Sequence, residues 1–195
     1  MNYFIIRDSI SGFLWGNIIG IFLRRKPFKL RIVRPRKFVG LSNMIIGNNV
    51  YIASNCWLQT HGSDSELIIG DKCCIGNNCH IYSLKRIQIG EEVLLADNVY
   101  LSDNLHNYND VNKAVLSQSI KQIGTVNIGR GSWIGENVAI IGASIGNNCV
   151  IGANAVVTKD IPPYCVVVGA PAKIIKRYSL KQREWLATDI NGEFI

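Results

Sequence analysis

Between residues 128 and 172 an aliphatic side chain returns at every sixth position. The run reads Ile128-Gly129-Arg130-Gly131-Ser132-Trp133, then Ile134-Gly135-Glu136-Asn137-Val138-Ala139, and, after an offset, Ile145-Gly146-Asn147-Asn148-Cys149-Val150 and Ile151-Gly152-Ala153-Asn154-Ala155-Val156. Glycine follows each aliphatic at once, and a small or β-branched residue comes three positions after the glycine. A period of six is too long for a helix face, where apolar positions return after three or four, and too regular for a meander. It suits a short strand and a turn repeated around a prism, three sides to a coil, with coils stacked into a parallel β-helix. The aliphatics then point inward, and glycine and asparagine are expected at corners whose backbone conformations other residues resist. One repeat cannot bury its own apolar face, so the predicted fold class is an all-β solenoid.

Clear repeats begin at Ile46-Gly47-Asn48-Asn49 and continue through Ile52, Leu58, Ile69, Ile75, Ile81, Ile89, Leu95 and Leu101. Slips in phase mark departures from the prism. The polar run Thr60-His61-Gly62-Ser63-Asp64-Ser65 predicts a corner loop, Leu84-Lys85-Arg86 a bulge, and residues 107–125, where no hexapeptide phase fits, a protruding loop. Without that loop the pattern predicts about six coils. Residues 1–40 read as an apolar helix and a basic linker, residues 41–174 as the solenoid, and residues 175–195 as a helical cap. The cap is predicted from the capping-box spacing of Ser179-Leu180-Lys181-Gln182.

Composition changes this picture in two places. The net charge of +7 is uneven, because residues 1–40 hold nine basic side chains against Asp8 alone. The solenoid itself is not basic, which argues against nucleic acid as a partner. An apolar stretch over residues 10–23, too short for the about 20 residues of a membrane span, precedes eight basic residues from Arg24 to Lys37. That order predicts either peripheral contact with an anionic membrane or a helix packed on the first coil. Of six cysteines, Cys56, Cys73, Cys79 and Cys149 stand four residues after an inward aliphatic, where the repeat takes a small hydrophobe, so they read as core. No cleavable signal peptide is evident, and the expected location is cytoplasmic, on the inner membrane face where the N-terminal segment makes contact.

Two further motifs carry a resemblance. Val156-Val157-Thr158-Lys159-Asp160-Ile161-Pro162-Pro163 and Val168-Gly169-Ala170-Pro171-Ala172-Lys173-Ile174-Ile175, with the repeat over roughly residues 45–177, resemble the hexapeptide acyltransferases, in particular their maltose, galactoside and surface-polysaccharide O-acetyltransferase branch. The resemblance implies a left-handed parallel β-helix, a homotrimer with sites between subunits, acetyl-CoA as acyl donor and a sugar as acceptor. It also implies roles for residues. Ser102-Asp103-Asn104-Leu105-His106-Asn107-Tyr108 is similar to the family segment whose histidine is the general base, which makes His106 the candidate catalytic residue. An imidazole with a pKa near ~6.5 can take the proton of an attacking hydroxyl, a role worth about 10²- to 10⁴-fold. The positions that match the family's donor contacts are Trp133, Gly142, Ala143, Ala153, Thr158 and Lys159, with Lys176 at the nucleotide end.

Stacking residues 69–89 as one coil sets Ile81 beneath Leu101, and so Tyr82 and Ser83 beneath Ser102 and Asp103; these four are the expected substrate contacts. Two positions depart from the branch. Gly76 stands where an acceptor-binding asparagine is found, and Glu136 where one branch has serine. The other histidines, His61 and His80, read as a corner-loop residue and a repeat residue. The zinc ligands of the γ-carbonic anhydrase branch need a histidine pair within one loop, which this chain lacks, so no metal is expected. The reading is O-acetyl transfer from acetyl-CoA to a sugar hydroxyl of a surface-polysaccharide or O-antigen precursor. N-acetylation of a nucleotide-linked amino sugar and a noncatalytic scaffold are the alternatives.

Overall fold

The computed structural model describes residues 3–189 and 192–195. After an N-terminal helix, α1 (Tyr3–Phe22), the chain winds as a left-handed parallel β-helix. Its first wall stacks Arg31–Ile32, Tyr51–Ile52, Cys74–Ile75, Leu94–Leu95, Trp133–Ile134, Val150–Ile151 and Cys165–Val168. The second stacks Lys37–Val39, Trp57–Thr60, His80–Ser83, Tyr100–Ser102, Ala139–Ile141 and Val156–Val157. The third stacks Met44–Ile46, Glu66–Ile69, Arg86–Ile89 and Val126–Ile128, and continues through single bridges at Ile145 and Ile161.

The hexapeptide aliphatics fill the prism as the period requires. Ile52, Leu58, Ile69, Ile75, Ile81 and Leu101 are all 0–1% exposed, each contributing about 1.5–3 kcal/mol of burial. The four predicted core cysteines lie among them. Their thiols donate to backbone carbonyls of the next coil, Cys56 to Gly76 at 3.1 Å, Cys73 to Gly90 at 2.9 Å, Cys79 to Ala96 at 3.2 Å and Cys149 to Pro162 at 3.2 Å. Burial pushes the Cys73 thiol up to about 11, which keeps it protonated and inert.

Asparagine and glycine turn out to serve the corners for different reasons. At the corner between first and second walls Asn55, Asn78, Asn98, Asn137 and Asn154 stack in the left-handed region, with φ between 57° and 62°. The repeat glycines do not need that conformation. A Cβ on Gly70 would stand 2.7 Å from the Glu91 backbone nitrogen, and one on Gly76 would stand 2.5 Å from the Ala96 carbonyl carbon. Glycine follows the aliphatic because neighbouring coils touch there.

Three expectations are corrected. Residues 24–40 are not a linker: Arg31–Ile32 pairs with Tyr51–Ile52 and Lys37–Val39 with Trp57–Gln59, so the first coil begins about fifteen residues earlier than the hexapeptide pattern suggests. The first wall consequently has seven rungs rather than six. The predicted C-terminal helix is a hairpin. Lys173–Ser179 runs antiparallel to Cys165–Val168 and pairs with Glu184–Ala187. Ser179 does cap, accepting from the Gln182 N–H at 3.2 Å, but it caps a turn that reverses at Arg183 with φ 58°. Ile174, Ile175, Tyr178 and Trp185 favour strand, and an open sheet edge was there to pair with. At the other end α1 covers the prism, with Ile19 and, just past its end, Leu23 entering the core.

Candidate active site

The corner between the second and third walls is the irregular one, and every predicted departure from the prism leaves there. Residues 61–65 loop out between Trp57–Thr60 and Glu66–Ile69, residues 84–85 turn between His80–Ser83 and Arg86–Ile89, and residues 103–125 leave after Tyr100–Ser102. The third excursion is itself ordered. Asn104–His106 pairs antiparallel with Ile120–Gln122, so the predicted loop is a hairpin whose tip is braced where Gln118 donates to Asp110 and Lys113 carbonyls at 3.0 and 3.1 Å.

Stacking brings most of the candidate residues to this corner. Ser102 lies over Tyr82 and under Ile141, and Ile140 lies under Val157, so residues 82–83, 102–103, 141–142 and 158–159 follow one another up one edge, with Ala143 next along the chain. The register expected for Tyr82, Ser83, Ser102 and Asp103 is the one observed. His106 projects from the foot of the hairpin, exposed and with no hydrogen bond among the described residues.

Exposure divides the candidate acceptor contacts. Asp103 is fully buried, and its carboxylate accepts the backbone N–H groups of Leu84, Lys85 and Arg86 at 2.7, 2.7 and 2.9 Å. It ties the hairpin's foot to the coil below. Ser83 and Ser102 are also fully buried, donating to the carbonyls of Glu66 and Asn104 at 2.8 and 2.7 Å. These three side chains support the corner from behind. Tyr82 alone reaches outward, its hydroxyl 2.9 Å from Nδ1 of His61, and burial raises its pKa, so the phenol stays neutral. Sequence reasoning gave His61 no role. The length of its corner loop, laid on the same register, is the signal that would have placed it beside Tyr82. Asn104 was also missed: it is nearly buried and donates to Asp103 Oδ1 at 3.0 Å and to the Tyr82 carbonyl at 3.1 Å.

Higher on the corner the two terminal motifs meet. The Ala172 N–H donates to the Val156 carbonyl at 2.9 Å and the Val156 N–H to Gly169 at 3.0 Å. A groove of about 240 Å³ opens between them, lined by Val157, Thr158, Lys159, Ile161, Pro171, Ala172 and Lys173. Gly142 takes φ 61° beside Ile123, and Ala143 is fully buried, so the latter offers a ligand no side-chain surface.

The remaining donor candidates stand elsewhere. Ala153 lies at the corner between the first and second walls, while Trp133, half exposed, and Lys176 lie on the first wall's outer face, in the column that runs through Val150 and Val166. In a three-sided prism that wall is opposite the corner of His106 and Lys159. One chain therefore presents its candidates on two separate faces.

Relatives match this architecture. A family model described as the hexapeptide repeat of succinyl-transferase matches residues 66–103 and 125–159, interrupted where the hairpin stands. The galactoside O-acetyltransferase of Escherichia coli K12 is 32% identical over 146 residues, 73% of this chain and 70% of that protein. The chain belongs to the hexapeptide-repeat acyltransferase family. A probable acetyltransferase of Mycobacterium tuberculosis, Rv3034c, shares 36% identity over 76% of this chain. The putative lipopolysaccharide biosynthesis O-acetyl transferase WbbJ of Escherichia coli K12 shares 34% over 61%. The chain spans 48% and 64% of the lengths of these two relatives. Among solved structures, a galactoside acetyltransferase in complex with coenzyme A superposes with a TM-score of 0.55 at 28% identity, over 84% of this chain and 68% of that one.

Proposed function

We propose that the chain transfers an acetyl group from acetyl-CoA to a hydroxyl of a sugar, with His106 as general base. The observation that carries the reading is the shared corner: an unpartnered imidazole at the foot of the hairpin, and above it a groove where Thr158, Lys159 and Lys173 meet. A lysine suits the phosphates of the donor as a point charge, and small residues let an extended pantetheine arm approach the backbone. The acceptor oxygen attacks the thioester carbonyl carbon as its proton passes to His106. The tetrahedral oxyanion, held by backbone N–H groups, then collapses, and the departing thiolate takes the proton from the imidazolium. Ester and free coenzyme A result, with His106 returned to its starting state.

Trp133 and Lys176 belong to the same site only if a second solenoid stands alongside, its first wall facing this chain's corner. We propose a homotrimer on that ground. On this reading Tyr82 and His61 meet the acceptor, whereas Asp103 and Ser102 position the hairpin and Ser83 ties the corner to Glu66. A surface-polysaccharide or O-antigen precursor is the favoured acceptor, by likeness to WbbJ. The N-terminal segment is read as holding the enzyme at the inner face of an anionic membrane.

The test is His106→Ala. Its kcat should fall at least about a hundredfold with the dissociation constant for acetyl-CoA nearly unchanged, because a base acts in the transition state and not in donor binding. Turnover close to that of the unaltered protein removes His106 from the mechanism.

A further inference from the structure

Over residues 10–22 the helix α1 is mostly apolar, with Asn17 as its exposed polar residue, and its two faces are used differently. Gly12, Gly16, Ile19 and Gly20 are buried on the face toward the first coil, with Leu23 just beyond the helix. A Cβ on Gly16 would collide with the Leu30 carbonyl oxygen, so the helix lies backbone to backbone on the solenoid. That contact holds it across the end of the prism, and among the described residues no helix is long and apolar enough to cross a membrane. The opposite face carries Leu14, Trp15, Ile18, Ile21 and Phe22, each between 41% and 69% exposed, and Phe13 stands at its edge above residues 26–31. Such a face on a surface helix marks a contact with something apolar.

What the contact is follows from the charges beside it. Residues 26–31 return beneath the helix and enclose with it a cavity of about 420 Å³. Phe13, Gly16, Gly20, Phe28 and Leu30 make its apolar lining, and Lys26, Lys29 and Arg31 stand among them. Among the described residues no acidic side chain lines the cavity and none of the three cations is in an ion pair, whereas neighbouring Arg24 is engaged by Glu66 at 2.9 Å. A second copy of this chain would bring the same uncompensated positive charge to the contact. An anionic bilayer compensates it.

We infer that this cavity is a headgroup site for an anionic phospholipid. Its phosphate meets Lys26, Lys29 and Arg31 while the outer face of α1 enters the acyl region beside it. This rests on the reading of the N-terminal segment as the membrane-facing part and adds the site through which it recognises lipid charge. The arrangement combines a term that salt weakens with one that it does not.

The experiment is co-sedimentation of the full chain with vesicles of phosphatidylcholine alone and of phosphatidylcholine mixed with phosphatidylglycerol. The inference expects strong binding to the mixed vesicles only, reduced but not abolished by salt. Replacing Lys26, Lys29 and Arg31 together by glutamine should weaken it about a hundredfold, at roughly fivefold per cation near such a surface. Ile18→Gln with Ile21→Gln, on the outward face, should abolish the residual binding at high salt. Equal binding to both vesicle types, or unaltered binding by the triple variant, overturns the headgroup site. Absence of vesicle binding, with an oligomer in light scattering that the Ile18→Gln, Ile21→Gln pair dissociates, gives the face to a second copy and also overturns it. Acetyl-CoA titration of the same sample reports on the enzymatic reading separately. Lipid binding without donor binding defeats that reading and leaves this one standing; donor binding without lipid binding does the reverse.

Discussion

At the scale of single residues, the corner separates side chains that can meet a substrate from those that hold them in place. Asp103 is spent on three backbone N–H groups and is fully buried. Asp103→Asn keeps the shape but turns an amide N–H toward donors, at a cost of about 1–3 kcal/mol. We expect a lower denaturation midpoint and a fall in turnover, with acetyl-CoA affinity kept; an unchanged midpoint would mean that those bonds contribute nothing. His80 shows a different constraint. Its ring stacks on Trp57 at 4.4 Å and packs against Tyr100 at 5.3 Å, and burial first, then the charge of Arg36, depresses its pKa below 6.5. The unfolded chain therefore takes up a proton that the folded one resists. Stability contributed by the neutral ring is whole above about 6.5 and declines as pH falls from there toward the folded value. Melting temperature should fall less steeply with acid in His80→Gln than in the unaltered protein, and parallel slopes would remove His80 from the acid response.

At the scale of elements, the two ends of the solenoid are closed by unlike devices: the helix is one that the apolar stretch predicts, and the hairpin stands where the local pattern predicts a helix. Helix α1 and the residue after it close one end by burying Ile19 and Leu23, while at the other the hairpin of Lys173–Ser179 and Glu184–Ala187 extends the first wall. The segment after α1 is an integral coil. The apolar repeat alone suggests that a chain lacking residues 1–40 keeps its donor site intact. Instead, that truncation strips Arg31–Ile32 and Lys37–Val39 from the stack and bares Met44, Ile52 and Leu58. Each of these buries a full side chain, so the loss should come to several kcal/mol. Thermal unfolding of the truncated chain should move well below that of the full chain, and an unchanged transition would show the first coil to be dispensable.

At the scale of the whole molecule, the division of candidate donor contacts between the His106 corner and the opposite wall determines what a single chain can do. On the proposed reading Trp133 and Lys176 reach the site from a neighbouring subunit, so light scattering at working concentration should give a mass three times that of the 21.7 kDa chain. A monomer that turns over acetyl-CoA would confine the site to the corner. In the proposed trimer the hairpin would have a neighbour to meet. Val111 and Leu116 at its tip are each 91% exposed, beyond the reach of the chain's own core, and are available to a neighbour.

The inward aliphatics, the small-residue slot that takes the cysteines, the stacking of Tyr82 beneath Ser102 and the place where the prism is interrupted were all legible in the sequence. Each is dictated by a local period of six, and parallel stacking repeats that period without reference to anything distant. The first coil was not legible, because Arg31–Ile32 and Lys37–Val39 lack the glycine spacing and become strands only when the next coil offers an edge. The C-terminal hairpin was hidden for a related reason: Ser179 caps a turn and a helix with the same hydroxyl, and an unpaired sheet edge decided between them. Tertiary structure alone assigned Asp103 to the backbone and His61 to Tyr82, and placed Trp133 opposite Lys159. Those relations depend on which corner each coil's extra residues leave from, and a repeat records the period of a coil without recording its faces.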